Sequence, residues 1–157
     1  MGVDKMSCII RKAVSEDFIA VYGLICELVG SPVDGLSSIS LVKIYQANLL
    51  SDIKGQYIAE LSGEIVGFIS LTFDMRLSEV GKVAVIDELV VKKDLRNIGI
   101  GSALVEYAIG FAKSTGCCMV EVATNLCREA AHRFYERNGF VKNGYRFGFD
   151  AWEGQPQ

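Results

Sequence analysis

IDELVVKKDLRNIGIGSALVEYAIGFAKSTGC, from Ile86 to Cys117, decides the fold. Its first residues, with the Val83-Ala84-Val85 before them, are rich in β-branched side chains and read as a strand over Val83–Val91. Arg96-Asn97-Ile98-Gly99-Ile100-Gly101-Ser102 follows as a glycine-bearing turn. Leu104, Tyr107, Ala108 and Phe111 then recur at helical spacing as one apolar stripe, and Gly116 ends that helix. A strand, a glycine turn and a helix in this order make a phosphate cradle. The helix start offers unpaired N–H groups and a partial positive charge, and Arg96 adds a charge-assisted contact for a pyrophosphate. A glycine turn that binds nothing fits the same residues. A P-loop does not, because no Gly-Lys-Ser/Thr follows. A dinucleotide fingerprint needs a third glycine where Leu104 stands, and its acidic ribose partner at a strand end, whereas Glu121 lies within a strand.

Working outward, Ile9–Arg11 starts a short strand. Ser15 reads as an N-cap with Glu16 and Asp17 in the first turn, and Phe18, Val21, Tyr22, Ile25 and Leu28 follow at helical spacing. Gly30-Ser31-Pro32 stops that helix, and a second runs from about Ser40 to Leu50. Gln56–Leu61, the turn Ser62-Gly63-Glu64 and Ile65–Phe73 form a hairpin, with Met75–Gly81 as a polar loop after it. Downstream, Met119–Thr124 reads as a buried strand and Glu129–Arg137 as a short helix with Gly139 at its left-handed end. Phe140–Trp152 reads as one or two aromatic-rich strands. The order is β-α-α-β-β-β-α-β-α-β, an α/β (α+β) chain with a mixed sheet and helices on its faces.

The 157 residues fit a single domain over 1–157, and 50% hydrophobic content supplies one core. A formal net charge of −3 argues against nucleic acid as a partner and suits a cationic amine. No apolar run approaches a membrane span, and MGVDKMS lacks a signal-peptide core, so a cytoplasmic location without membrane attachment is expected. The five cysteines lack CxxC spacing, which argues against a disulfide framework and a metal site. Cys8, Cys26 and Cys118, in apolar surroundings, are expected in the core.

The Ile86–Cys117 stretch resembles the GNAT superfamily of N-acetyltransferases, whose pyrophosphate motif Q/R-x-x-G-x-G/A is filled by Arg96, Gly99 and Gly101. AAHRFYERNGF, Ala130 to Phe140, is similar to the family's C-terminal helix with its tyrosine and Gly-Phe ending. The resemblance implies a mostly antiparallel sheet of about six to seven strands with helices on both faces. It implies acetyl-CoA as co-substrate, no metal, and transfer to a primary amine of a small molecule or peptide. A non-catalytic acyl-CoA-binding module keeps the same cradle without the chemistry. Two departures stand out. Asn97 replaces a common glycine, though asparagine tolerates left-handed backbone. Arg128 stands where many relatives carry asparagine.

By the same resemblance, Leu89, Val90 and Val91 offer backbone groups to the pantetheine arm as an added strand would. Arg96, Asn97, Ile98, Gly99, Ile100, Gly101 and Ser102 hold the pyrophosphate. The acceptor is a cation with a pKa of about 10.4 and must lose a proton, so a general base is needed. Glu88 and Glu121 are both candidates, and the remaining alternative is that no single side chain serves. Asp87 and Glu88 are strand neighbours expected on opposite faces, and Glu121 is expected to be buried in VEVA. Tyr135 is the candidate acid for the departing thiolate, with a core aromatic beside Phe134 as the alternative. Tyr45, Tyr145, Phe147, Phe149 and Trp152 suit either an acceptor wall or a homodimer interface.

Overall fold

The structure, a computed structural model, describes residues 8–33 and 38–149. The chain divides into two compact units, residues 1–122 and 123–157. In the first, the elements are β1 (Ile9–Lys12), α1 (Phe18–Val29), α2 (Ser38–Leu50), β2 (Lys54–Leu61), β3 (Glu64–Arg76), β4 (Gly81–Val91), α3 (Ile100–Ser114) and β5 (Cys117–Val122). The strands form one sheet in the order β1-β2-β3-β4-β5, antiparallel except for the parallel β4–β5 pair.

Strand alternation splits the core into two layers. Ile58, Phe68 and Val90 lie opposite one another on β2, β3 and β4 and pack with Val21 and Leu24 of α1, Tyr45 of α2, and Ala13. Their strand neighbours point the other way, where Tyr57 meets the rings of Tyr107 and Phe111 on α3. Gly67 permits this second contact, since a Cβ there would lie 2.9 Å from Leu104 Cδ1 and 3.2 Å from the Ala59 Cβ. The β2–β3 hairpin turns on Ser62 and Gly63, both with positive φ (52° and 82°), as a two-residue turn matching the strand twist requires.

Several expectations are corrected. α1 begins at Phe18 after a 3-10 turn at Ser15–Asp17, and its entry is held by Asp17 rather than by Ser15. The Asp17 carboxylate accepts the Val14 N–H at 2.9 Å and both Arg11 Nη groups at 2.8 and 3.0 Å. β3 continues to Arg76, through the first part of the expected polar loop. Among the described residues β5 is an edge strand with no fully buried residue, and Glu121 is half-exposed. Cys8 and Cys26 are half-buried and Cys118 is exposed. The sheet has five strands among the described residues, not six to seven. Phe140–Phe149 has no regular structure, and Tyr145, Phe147 and Phe149 are exposed. Trp152, the N-terminal heptapeptide and residues 34–37 of the helix connection lie outside the described residues.

The second unit contains α4 (Glu129–Arg137). Its end is a Schellman motif: Phe140 N–H bonds the Tyr135 carbonyl and Gly139 N–H bonds the Glu136 carbonyl, both at 3.0 Å, with Gly139 at φ 87°. The Phe140 ring packs edge-on against Tyr135, with centroids 5.5 Å apart.

Candidate active site

β4 and β5 pair only from Lys82↔Cys117 to Ile86↔Val122. Beyond Ile86, β4 runs on through Asp87, Glu88, Leu89, Val90 and Val91 with β3 alone as its strand partner among the described residues. The edge that faced β5 is therefore open along the residues expected to take a pantetheine arm. One of those groups is engaged, since Arg96 Nε donates to the Val91 carbonyl at 2.9 Å.

At the end of β4 the chain passes through a 3-10 turn, Lys93–Leu95, into the glycine turn. Asn97 has φ 63° and Gly99 φ 97°, so two left-handed residues reverse the backbone before α3. A Cβ at Gly99 would meet nothing within 4 Å, so conformation rather than packing requires that glycine. The first bond into α3 is Ala103 N–H to the Gly99 carbonyl, at 3.0 Å. The N–H groups of Ile100, Gly101 and Ser102 thus have no intrahelical acceptor. Backbone donors without an intrahelical acceptor at a helix start, with a half-exposed Arg96, fit a pyrophosphate. Glu27 of α1 steadies the approach, accepting the Lys93 N–H at 2.9 Å and standing 3.9 Å from Arg96 Nη2.

Glu88 lies on the α1 and α2 face, beside a β-bulge. Ser70 pairs with Glu88 and Leu71 with Ile86, which leaves Asp87 as an extra residue on β4. The bulge corrects the expectation that Asp87 and Glu88 point to opposite faces. Glu88 Oε2 accepts from the Ser70 hydroxyl, and Asp87 Oδ2 from the Thr72 hydroxyl at 2.5 Å. Ser70 and Thr72 are two residues apart on β3, so the two carboxylates share a face. Lys54 Nζ completes the outer group, 2.5 Å from Thr72 Oγ1 and 3.4 Å from Asp87 Oδ2. Burial is the main cause that holds the Glu88 carboxyl above its ordinary range; the negative Asp87 adds to it and Lys54 opposes it. Glu121 is differently placed. Both its oxygens accept from Arg76 Nη1 at 2.7 Å.

Ser70, Gln56, Lys54, Thr72 and the orientation of Asp87 escaped the sequence reading. A signal existed for Ser70 and Gln56: each is a polar residue inside an apolar strand, and both are buried. In the second unit, burial pushes the Tyr135 phenol up to about 12, so it stays protonated at neutral pH. His132 is half-buried and its Nε2 lies 2.9 Å from the Asn125 carbonyl, within the loop that carries Arg128.

Over residues 25–140 the chain matches the model of the acetyltransferase (GNAT) family. The chain belongs to that family. It is 37% identical over 140 residues to an aminoalkylphosphonate N-acetyltransferase of Salmonella typhimurium, covering 89% of each chain. It is also 37% identical over 91 residues to an uncharacterized N-acetyltransferase of Methanocaldococcus jannaschii, across 57% of this chain and 40% of that one. A solved structure of a putative acetyltransferase from Agrobacterium tumefaciens superposes with a TM-score of 0.82 at 26% identity, over 90% and 98% of the two chains. An aminoglycoside acetyltransferase from an uncultured soil metagenomic sample, in complex with sisomicin, shares the fold with a TM-score of 0.82 at 18% identity, over 96% and 100%. The protein is thus a GNAT acetyltransferase with a mixed α+β fold and one mostly antiparallel sheet. No helix among the described residues is long and apolar enough to cross a membrane.

Proposed function

We propose that the protein moves an acetyl group from acetyl-CoA to a primary amine of a small molecule or peptide, by direct transfer in a ternary complex. Aminoalkylphosphonates are the acceptor class to try first. The observation that carries the reading is Glu88: a half-buried carboxyl, held above its ordinary range, on the strand whose open edge leads to the Arg96–Ser102 turn. A carboxylate in that state takes up a proton nearer neutral pH than an exposed one does.

In this reading Glu88 removes the proton that keeps the acceptor cationic. The neutral nitrogen forms a bond to the thioester carbonyl carbon while the carbon–sulfur bond breaks. Tyr135 gives its phenolic proton to the departing sulfur and is reprotonated by the proton shed from the new amide nitrogen. Glu88 returns its own proton to solvent. The Arg96–Ser102 turn and the free edge of Leu89–Val91 would hold the coenzyme. Glu121 is the less suited base because Arg76 occupies its carboxylate. The substrate class is supported by the 37% identity to the aminoalkylphosphonate enzyme over 89% of both chains.

The test is a thiol-release assay with acetyl-CoA across aminoalkylphosphonates, polyamines, amino acids, aminoglycosides and peptides, beside calorimetry of coenzyme binding. Turnover on an aminoalkylphosphonate with a kcat/KM above the rest of the panel is the expected result. Turnover only on another amine would keep the reaction and discard the acceptor class. Tight coenzyme binding without turnover on any amine would favour a binding module.

A further inference from the structure

Gln56, Ser70 and Glu88 stand directly opposite one another on β2, β3 and β4, so their side chains leave the same face of the sheet. Gln56 is 5% exposed, and its Oε1 is buried without a hydrogen-bond partner among the described residues. A buried carbonyl oxygen left bare is destabilising, and an apolar side chain of similar length would avoid the cost. Opposed residues hold their Cβ atoms about 4.5–5.5 Å apart, so a side-chain torsion of Gln56 brings Oε1 within reach of Ser70 Oγ.

The Ser70 hydroxyl has one hydrogen to give and two lone pairs. Its hydrogen goes to Glu88 Oε2, and it accepts the Glu88 backbone N–H at 3.1 Å. That arrangement serves an ionised carboxylate. Once Glu88 carries a proton on the oxygen facing Ser70, two hydrogens would meet unless one turns away. Oγ has a second lone pair to receive the Glu88 O–H, and the Ser70 hydrogen then needs another acceptor. Gln56 Oε1 is an unfilled acceptor in the same row.

We propose that Gln56 is a positioning residue whose Oε1 receives the Ser70 hydroxyl hydrogen when Glu88 is protonated, so that the row reverses its hydrogen-bond direction as Glu88 gains or loses a proton. Ser70 and Gln56 exchange no proton in this step. The proton on Glu88 comes from the acceptor ammonium or, in the free protein, from solvent. The proposal deepens the reading of Glu88 as the base, and rests on it only for its effect on turnover. The other charged groups around this face are Asp87 on β4, Lys54 on β2, the Arg76–Glu121 pair of β3 and β5, Glu27 of α1, and the Arg11–Asp17 pair where β1 leads into α1. From α2, Tyr45 donates to the Val14 carbonyl at 2.7 Å.

The test is an NMR titration of the free, full-length protein. It follows the Glu88 side-chain carboxyl, assigned by its loss in Glu88→Gln, together with the Gln56 side-chain amide. In the unaltered protein the Gln56 amide should titrate with the Glu88 midpoint, and in Glu88→Gln it should stop doing so. Gln56→Met and Gln56→Leu remove the acceptor of the protonated state and should each lower the Glu88 midpoint by about half a unit to one unit. Ser70→Ala removes the donor to the ionised state and should raise it. A pH-independent Gln56 amide in the unaltered protein overturns the proposal whatever the variants do. So does an unmoved or raised midpoint in folded Gln56→Met. The acid limb of kcat/KM on a verified acceptor is read alongside. If the NMR midpoint moves and that limb does not, the hydrogen-bond reversal stands and Glu88 is not the base.

Discussion

The turn from Arg96 to Ser102 and the row Gln56–Ser70–Glu88 are built in opposite ways. The turn is seven consecutive residues, and what it offers is mostly backbone: N–H groups at the start of α3, set by left-handed φ at Asn97 and Gly99. The row draws one side chain from each of three strands, and only sheet register brings them together. A site made of backbone should survive the loss of any one side chain that leaves the chain's path alone. A site made of single side chains should not. Substitutions in the two regions should therefore differ in kind.

Glu88→Gln keeps shape and burial but removes basicity. Turnover at neutral pH should fall by about a hundredfold or more, with coenzyme affinity unchanged by calorimetry. The deficit should narrow as pH rises and free amine becomes available. Stability gives a second readout. The folded state holds the Glu88 carboxyl above its ordinary range, so its protonated form suits the fold and that contribution is lost as pH rises through the folded value. Glu88→Gln should therefore gain stability relative to the parent as pH rises through that region. A full rate in Glu88→Gln at every pH would move the base role elsewhere.

Tyr135→Phe removes one oxygen and leaves the ring that packs on Phe134 and Phe140. If its phenol helps the sulfur leave, the rate should fall about ten- to a hundredfold, roughly 1.4 to 2.7 kcal/mol of transition-state stabilisation. Coenzyme affinity and melting temperature should hold. An unchanged rate would make Tyr135 packing alone.

The same contrast explains what could be read from the sequence. The glycine turn, the apolar stripe of α3 and the Asn-Gly-Phe ending of α4 are local patterns, and each stands where its spacing placed it. The readings that failed depended on partners. The Asp87 side chain shares a face with Glu88 because β3 imposes a bulge, which no alternation rule applied to β4 alone can show. Glu121 is half-exposed and paired because β5, the last strand of the sheet among the described residues, brings it to Arg76, forty-five positions away in the chain. Cys118 has apolar neighbours in the chain but lies on the same outer strand and is exposed. Ser70 and Gln56 were visible as polar intruders in apolar strands, but their common row follows only from register.

In the turn, Arg96→Ala should lower coenzyme affinity only severalfold, by about 1 kcal/mol, since the guanidinium is half-exposed and the backbone donors remain. Gly101→Val should be worse, because its new side chain projects from the first turn of α3 where a pyrophosphate must approach the N–H groups. Calorimetry on both variants decides. If Arg96→Ala abolished binding while Gly101→Val were tolerated, the turn would be a side-chain site and the comparison would fail.

Asn97 gives the smallest effect and the sharpest check on backbone control. Its φ of 63° lies in the left-handed region, which asparagine enters more readily than most residues. Glycine enters it without steric cost but brings a more flexible unfolded chain, and the two effects oppose each other. Asn97→Gly should therefore change unfolding free energy by no more than about half a kcal/mol and leave coenzyme affinity alone. Asn97→Val, β-branched at the same φ, should cost about 1–2 kcal/mol, and it should weaken coenzyme binding if the turn relaxes to relieve the strain. Denaturant titration paired with calorimetry separates the two. If valine were accepted with neither stability nor affinity lost, the left-handed step would not be what aims the N–H groups of α3, and the cradle would have to owe its geometry to something other than the path of its backbone.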